Sequence, residues 1–102
     1  MLSCWEHIWC AAGMSDVSSV AVCAGSGSSV LHGVSADLYV TGEMSHHDVL
    51  QAKHTGHSVI LCEHSNTERG YLPVLREKLM QTLGSGVNII VSKTDDDPLH
   101  VV

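Results

Sequence analysis

Phenylalanine is absent from these 102 residues, and the aromatic content is two Trp and two Tyr, so any core must be built from aliphatic side chains. Basic residues are scarce as well. Lys53, Arg69, Arg76, Lys78 and Lys93 are the whole set, against eleven acidic residues, for a formal net charge of −6. No basic patch is available to hold a phosphate backbone, which disfavours direct nucleic-acid binding. The absence of Lys and Arg before residue 53 removes the charged start of a secretory signal and of an Arg-rich presequence. No apolar run approaches the roughly 18 residues that suggest a membrane span. The expectation is a cytoplasmic protein with no membrane partner. Cys4, Cys10, Cys23 and Cys62 form no Cys-x-x-Cys pair and lack the flanking His spacing of a zinc finger, so they read as reduced thiols.

What is present fits one small domain or part of a larger one, able to bury roughly two thirds of its unfolded surface if it closes on itself. Eight His make the charge sensitive to pH below about 7. Residues 1–18 read as a leader outside the domain, poorly ordered, and residues 19–102 as an α/β segment. Ser19 to Ala24 has the pattern of a buried strand, followed by the turn Gly25-Ser-Gly-Ser-Ser29. Ala36 to Thr41 is a second strand ended by Gly42-Glu43. Ser45 caps a helix from His46 to Lys53 or His54, with Asp48 as the capping-box acid. His46 and His47 fall in its first turn, about 100° apart, so at most one faces any crevice. His54 and His57 read as solvated residues around a helix-ending Gly56. Val59 to Cys62 is a third strand. Leu72, Leu75, Leu79 and Leu83 mark one face of a helix that starts near Pro73 and stops at Gly84. Val87 to Ser92 is a fourth strand before an acidic tail. The order β-α-β-α-β-α-β with short connections argues an α/β fold with a largely parallel sheet and helices packed on it.

Two stretches point to chemistry. Gly25, Gly27 and Ser28 sit where a glycine-rich turn enters a helix, a place that offers backbone N–H groups to an anion. The other reading is that glycine merely permits a tight turn, and the Lys of a P-loop is missing. His64 and Glu68, four apart after the third strand, are an imidazole and a carboxylate able to share a divalent transition metal. Such a site wants at least one more protein ligand. Ser65-Asn-Thr-Glu68 is equally a capping-box pattern, and on spacing alone both roles for Glu68 stand.

Val22-Cys-Ala-Gly-Ser-Gly-Ser-Ser-Val-Leu31, Ala36-Asp-Leu-Tyr-Val-Thr-Gly-Glu-Met-Ser-His-His-Asp48 and Val59-Ile-Leu-Cys-Glu-His-Ser-Asn-Thr-Glu-Arg-Gly70 keep order and spacing together. In this they resemble the C-terminal part of the NGG-interacting-factor-three-like family, often labelled GTP cyclohydrolase I type two, and animal members in particular. The resemblance implies a cleft holding two divalent metal ions, with His64 and Glu68 as the C-terminal pair of ligands. It implies that Glu43 and His47 support them without binding metal directly. The family's first His pair and its Asp have no counterpart here, and His46-His47 is not that pair. The expectation is therefore a C-terminal fragment or isoform of a metal-binding, cyclohydrolase-like protein on a nucleotide-like substrate, without catalytic competence alone. The resemblance further implies a homo-oligomer. The alternative is a protein-interaction module with transcription-related partners, in cytoplasm and nucleus. Parallel strands this apolar also want cover on both faces, more than three short helices supply.

Overall fold

The computed structural model describes residues 9–11, 16–99 and 102. In chain order the elements are β1 (Trp9–Ala11), β2 (Val20–Ser26), α1 (Ser28–Leu31), β3 (Leu38–Glu43), α2 (His46–His54), β4 (Ser58–Leu61), α3 (His64–Arg69) and α4 (Leu72–Leu83). The sheet order is β1-β4-β3-β2, with β2, β3 and β4 parallel and β1 antiparallel to β4. The α/β architecture read from the sequence is the one found. One strand differs. Val87 to Ser92 joins no sheet among the described residues; its recorded tie is the Arg76 Nε donating to the Ile89 carbonyl at 2.8 Å. The edge beside β4 is taken by Trp9–Ala11.

The reading of residues 1–18 as a poorly ordered leader falls largely on residues outside those described. Of the rest, Trp9–Ala11 is the edge strand β1. Ser18 and Ser19 aim both backbone N–H groups and both hydroxyls at Asp37 Oδ2, at 2.8 to 2.9 Å.

Helices α1 and α2 connect the parallel neighbours β2, β3 and β4, and they share one face of the sheet, since Leu31 and Ala52 pack in one cluster with Tyr39 and Val59. That face holds the core: Leu31, Ala36, Tyr39, Ala52 and Val59, with Ala21, Cys23, Met44 and Leu61 packed against it. Ala21, Tyr39 and Val59 lie in register across the three strands, as do Cys23, Thr41 and Leu61. The alternate positions, Val20 and Leu38 in one row and Val22, Val40 and Ile60 in the next, point to the other face. That face is open at β2, where Val20 is 54% and Val22 72% exposed, and half-buried at Leu38, Val40 and Ile60.

Ser45 caps α2 as its sequence requires, accepting from the Asp48 N–H at 3.1 Å and donating to Asp48 Oδ2 at 2.7 Å. His57 is not the solvated residue it reads as. Its ring stacks on Tyr39 with centroids 4.5 Å apart, and its Nδ1 lies 2.6 Å from the Ala36 carbonyl. Helix α4 has Pro73 in its first turn and ends at Gly84, but none of its residues is buried. Its leucines Leu72, Leu75 and Leu79 line a groove with Ile89 to Val91 and stay partly exposed, at 37–38%. The chain is consequently long, 53 × 35 × 22 Å, with a radius of gyration of 16.6 Å, where a closed domain of this length has about 13 Å. No helix among the described residues is long and apolar enough to cross a membrane.

Candidate functional site

Three parallel neighbours bring their C-terminal ends to one rim, and in open α/β sheets that rim is where ligands bind. Here it carries Gly25 near the end of β2, Glu43 at the end of β3, and His64 at the start of α3, two residues beyond Cys62.

His64 is held from both sides. Its Nδ1 lies 2.8 Å from Glu43 Oε1, and its Nε2 lies 3.3 Å from Glu68 Oε1 one helical turn on. Glu68 therefore turns toward His64 and does not cap its helix: the N-cap position belongs to Glu63, and no side chain caps α3. The capping-box reading of Ser65 to Glu68 fails because the helix starts at His64, two residues earlier than that box requires. All three side chains are about half exposed, which softens their mutual attraction through solvent screening. The Glu43 hydrogen bond, foremost, raises the His64 pKa above the ordinary imidazole value, and the charge on Glu68 adds to it.

With Nδ1–H donating to Glu43, the remaining Nε2 lone pair of a neutral His64 points at a carboxylate oxygen. Two acceptors at 3.3 Å need a cation between or beside them, a proton at lower pH or a metal ion otherwise. Two donors bound at about 2.1 Å to one tetrahedral ion stand roughly 3.4 Å apart, so the pair already has the spacing of ligands. A carboxylate on the far ring nitrogen is the usual means of fixing a metal-binding imidazole.

The turn that presents His64 is strained. Glu63 has φ 67° and ψ 145°, a region nearly restricted to glycine, with a cost of order 1–3 kcal/mol. Beneath it, Gly42 leaves no room for a side chain, since a Cβ there would lie 2.9 Å from both the Glu63 oxygen and the His64 Cα. Gly25 forms the floor under the His64–Glu68 pair. It has φ +70°, and a Cβ on it would come within 2.8 Å of Glu68 Oε1 and 3.0 Å of His64 Nε2. Its N–H donates to Thr67 Oγ1 at 2.8 Å, while Thr67 Oγ1 donates to the His64 carbonyl at 2.7 Å. The Thr41 hydroxyl donates to the Gly25 carbonyl at 3.1 Å.

These bonds bear on the anion contacts expected at Gly25, Gly27 and Ser28. The Gly25 amide is spent on Thr67, Gly27 is buried against Thr41, and the Ser28 hydroxyl bonds the Asp48 carboxylate, which repels anions. Both glycines admit close packing, and Gly25 takes a positive φ in the turn. Of the two adjacent histidines, His46 lines a depression of about 430 Å³ with Gly42, Glu43, Met44 and Glu63. His47 is exposed and meets the His46 ring edge-on at 6.1 Å. Among the described residues no group of three or more His, Cys, Asp or Glu side chains could hold a metal ion. Thr67, Gly42 and Glu63 escaped the reading of the sequence. The glycine after Thr41 was the available signal.

A family model described as Duf34/NIF3 (NGG1p interacting factor 3) matches residues 2–98. NIF3-like protein 1 of Bos taurus is 67% identical over 88 residues, covering 86% of this chain and 23% of that protein. The NGG1-interacting factor 3 of Saccharomyces cerevisiae is 53% identical over 87 residues, covering 83% and 30%. Among solved structures, Staphylococcus aureus protein SA1388 superposes with a TM-score of 0.70 at 26% identity, covering 95% of this chain and 34% of that one. The chain thus spans about a quarter of the bovine protein's length.

Proposed function

Because the chain belongs to the Duf34/NIF3 family, we propose that it carries one half of a divalent-metal site, with His64 and Glu68 as ligands and Glu43 orienting the imidazole. The observation that carries this reading is His64 Nε2 at 3.3 Å from Glu68 Oε1 while Nδ1 is engaged by Glu43. The fit is that of a half-site: two donors suitably spaced, a glycine floor beneath them, and no third ligand among the described residues. When bound, a pair of divalent ions supplies an activated water and a clamp for substrate oxygens, the chemistry of a hydrolase or cyclohydrolase on a nucleotide-like substrate. The residues on this chain hold and orient; they do not complete that chemistry. Two protein ligands cannot fix two ions, so the segment is catalytically silent by itself and contributes its pair to a larger assembled fold.

The test is a titration of the 102-residue chain with Zn²⁺, followed by NMR at the His64 ring. Zinc should shift that ring, weakly and saturably, and both Glu68→Gln and His64→Ala should remove the response. A His64 ring that ignores zinc, or a Glu68→Gln chain that binds as well as the parent, would sink the proposal.

A second reading draws on two observations. The yeast relative bears the name of an interacting factor, and this chain leaves the Leu72, Leu75, Leu79 and Leu83 stripe of α4 partly exposed. Under it the segment works by association, as a homo-oligomer through α4 and with transcription-related proteins, in cytoplasm and nucleus. Light scattering on the purified chain and on Leu79→Glu decides it: a monomer in both removes the oligomer.

A further inference from the structure

We propose that Thr94 is the acceptor of an acid-directed protein kinase, and that its phosphate is then held by the Arg69 guanidinium, fastening the acidic tail to α3. The proposal goes beyond the metal reading and does not depend on it.

The sequence carries the first half. Thr94 is followed directly by Asp95, Asp96 and Asp97, and no other Ser or Thr of the chain has more than one acidic residue among the next three. A kinase whose substrate groove is lined by Lys and Arg reads such a run, because carboxylates just past the acceptor meet those cations. Thr94 is exposed, and from residue 93 to residue 98 the chain forms neither helix nor strand. Such a segment can lie extended in a groove without unfolding the elements before it. The Thr94 hydroxyl has one long contact, to the Ser92 hydroxyl at 3.3 Å, so little holds it back. In the transfer, Thr94 Oγ1 bonds the γ-phosphorus of ATP as the bond to the bridging oxygen breaks. ADP leaves, and the hydroxyl proton passes to the catalytic Asp of the kinase.

The structure carries the second half. Arg69 Nε donates to Asp95 Oδ2 at 2.6 Å, and Nη1 donates to Asn66 Oδ1 at 2.6 Å. The third nitrogen, Nη2, is buried and has no partner among the described residues. Nε and Nη2 together make a two-donor fork that suits two oxygens of one anion. Asp95 fills one prong and leaves the other empty, and a buried donor left unpaired is unfavourable. Phosphothreonine brings three acceptor oxygens and about two negative charges to the residue beside Asp95, enough to occupy both prongs. Repulsion from the exposed Asp95 and Asp96 is screened by water, whereas the Arg69 side chain is 28% exposed and steadied by Asn66. Since Arg69 is the last residue of α3, the phosphate clamps that helix to the tail.

The experiment treats the 102-residue chain with casein kinase II and ATP, without zinc, and maps phosphate by mass spectrometry. Phosphate should fall on Thr94, persist in Thr94→Ser and vanish in Thr94→Ala. Replacing Asp95, Asp96 and Asp97 together by Asn should slow the transfer by roughly tenfold or more. Hydrogen exchange across His64 to Arg69 should slow several-fold once Thr94 is modified. Arg69→Gln should abolish that slowing and leave the transfer intact, and Arg69→Lys, which keeps the charge without the fork, should retain less than half of it. Circular dichroism confirms that each variant keeps the parent fold. No phosphate on Thr94, phosphate on Ser92 in its place, or transfer indifferent to the Asn replacements would overturn the proposal. So would exchange across α3 that is unchanged or faster after modification, or slowing that survives Arg69→Gln. With zinc absent from every sample, none of these outcomes bears on the half-site.

Discussion

Replacing Gly25 by alanine separates the floor of the site from the fold that carries it. Two costs follow from the geometry. The first is the backbone: φ +70° is left-handed, and holding an L side chain there costs about 1–2 kcal/mol. The second is space. The new methyl would stand 2.8 Å from Glu68 Oε1 and 3.0 Å from His64 Nε2, where carbon contacts settle at about 3.5 Å or more, so both tips must retreat by roughly 0.5 Å or more. Both are half-exposed side-chain ends, free to swing into solvent, and their retreat adds little to the backbone cost. With a urea slope of about 2 kcal/mol per M, the midpoint should fall by roughly 0.5–1 M. Zinc binding at the His64 ring should weaken by roughly tenfold or more, on the scale of other changes that misplace a ligand. Urea unfolding by circular dichroism and the zinc titration measure the two effects on one sample. A loss above about 4 kcal/mol would show the pair clamped in place, and unchanged zinc affinity would show that Gly25 is not its floor.

Glu43→Gln should lower the His64 titration midpoint, read by NMR in metal-free buffer, since the Glu43 bond is the foremost cause of its elevation. A raised pKa means that the pair stabilises the fold below the ordinary value of 6.5 and that this is lost as pH climbs through the folded value, so the variant should flatten stability in that window. Asp37 is held down to about 2 from 3.8, first by the backbone bond from Ser18, then by the hydroxyls of Ser18 and Ser19. Its stabilisation should be full above 3.8 and vanish as pH falls toward 2, and Asp37→Asn should remove that acid-side slope in pH-dependent melting. Glu63→Gly should relieve the positive φ and raise stability by up to about 1–3 kcal/mol in urea unfolding, while a fall in stability would show that Glu63 makes contacts worth more than its strain.

The sheet strands β2, β3 and β4 were legible because each is a short apolar run closed by glycine or a polar cluster, and His64 with Glu68 because four residues make one helical turn. Ser45 and Asp48 announced the start of α2 by local chemistry alone. Long-range partners were less so. Val87 to Ser92 carries a strand pattern yet pairs with no strand among the described residues, and Trp9–Ala11 is too short to show any period. The stacking of His57 on Tyr39 follows from where α2 ends over β3, which no window of sequence contains. Glu63 betrayed nothing, because strain at one residue is set by the turn around it.

The bond from the Gly25 N–H to Thr67 Oγ1 ties an edge strand to the helix that carries both proposed ligands. Thr67 passes the link on to the His64 carbonyl, so the position of β2 and the aim of the imidazole are one mechanical variable. A sheet edge is the part of a sheet most free to move, and here that freedom is handed directly to the site. Pairing at β2 would then tune His64 and Glu68 from the side, without touching either, and the site's geometry would report on whether the fold around it has been assembled.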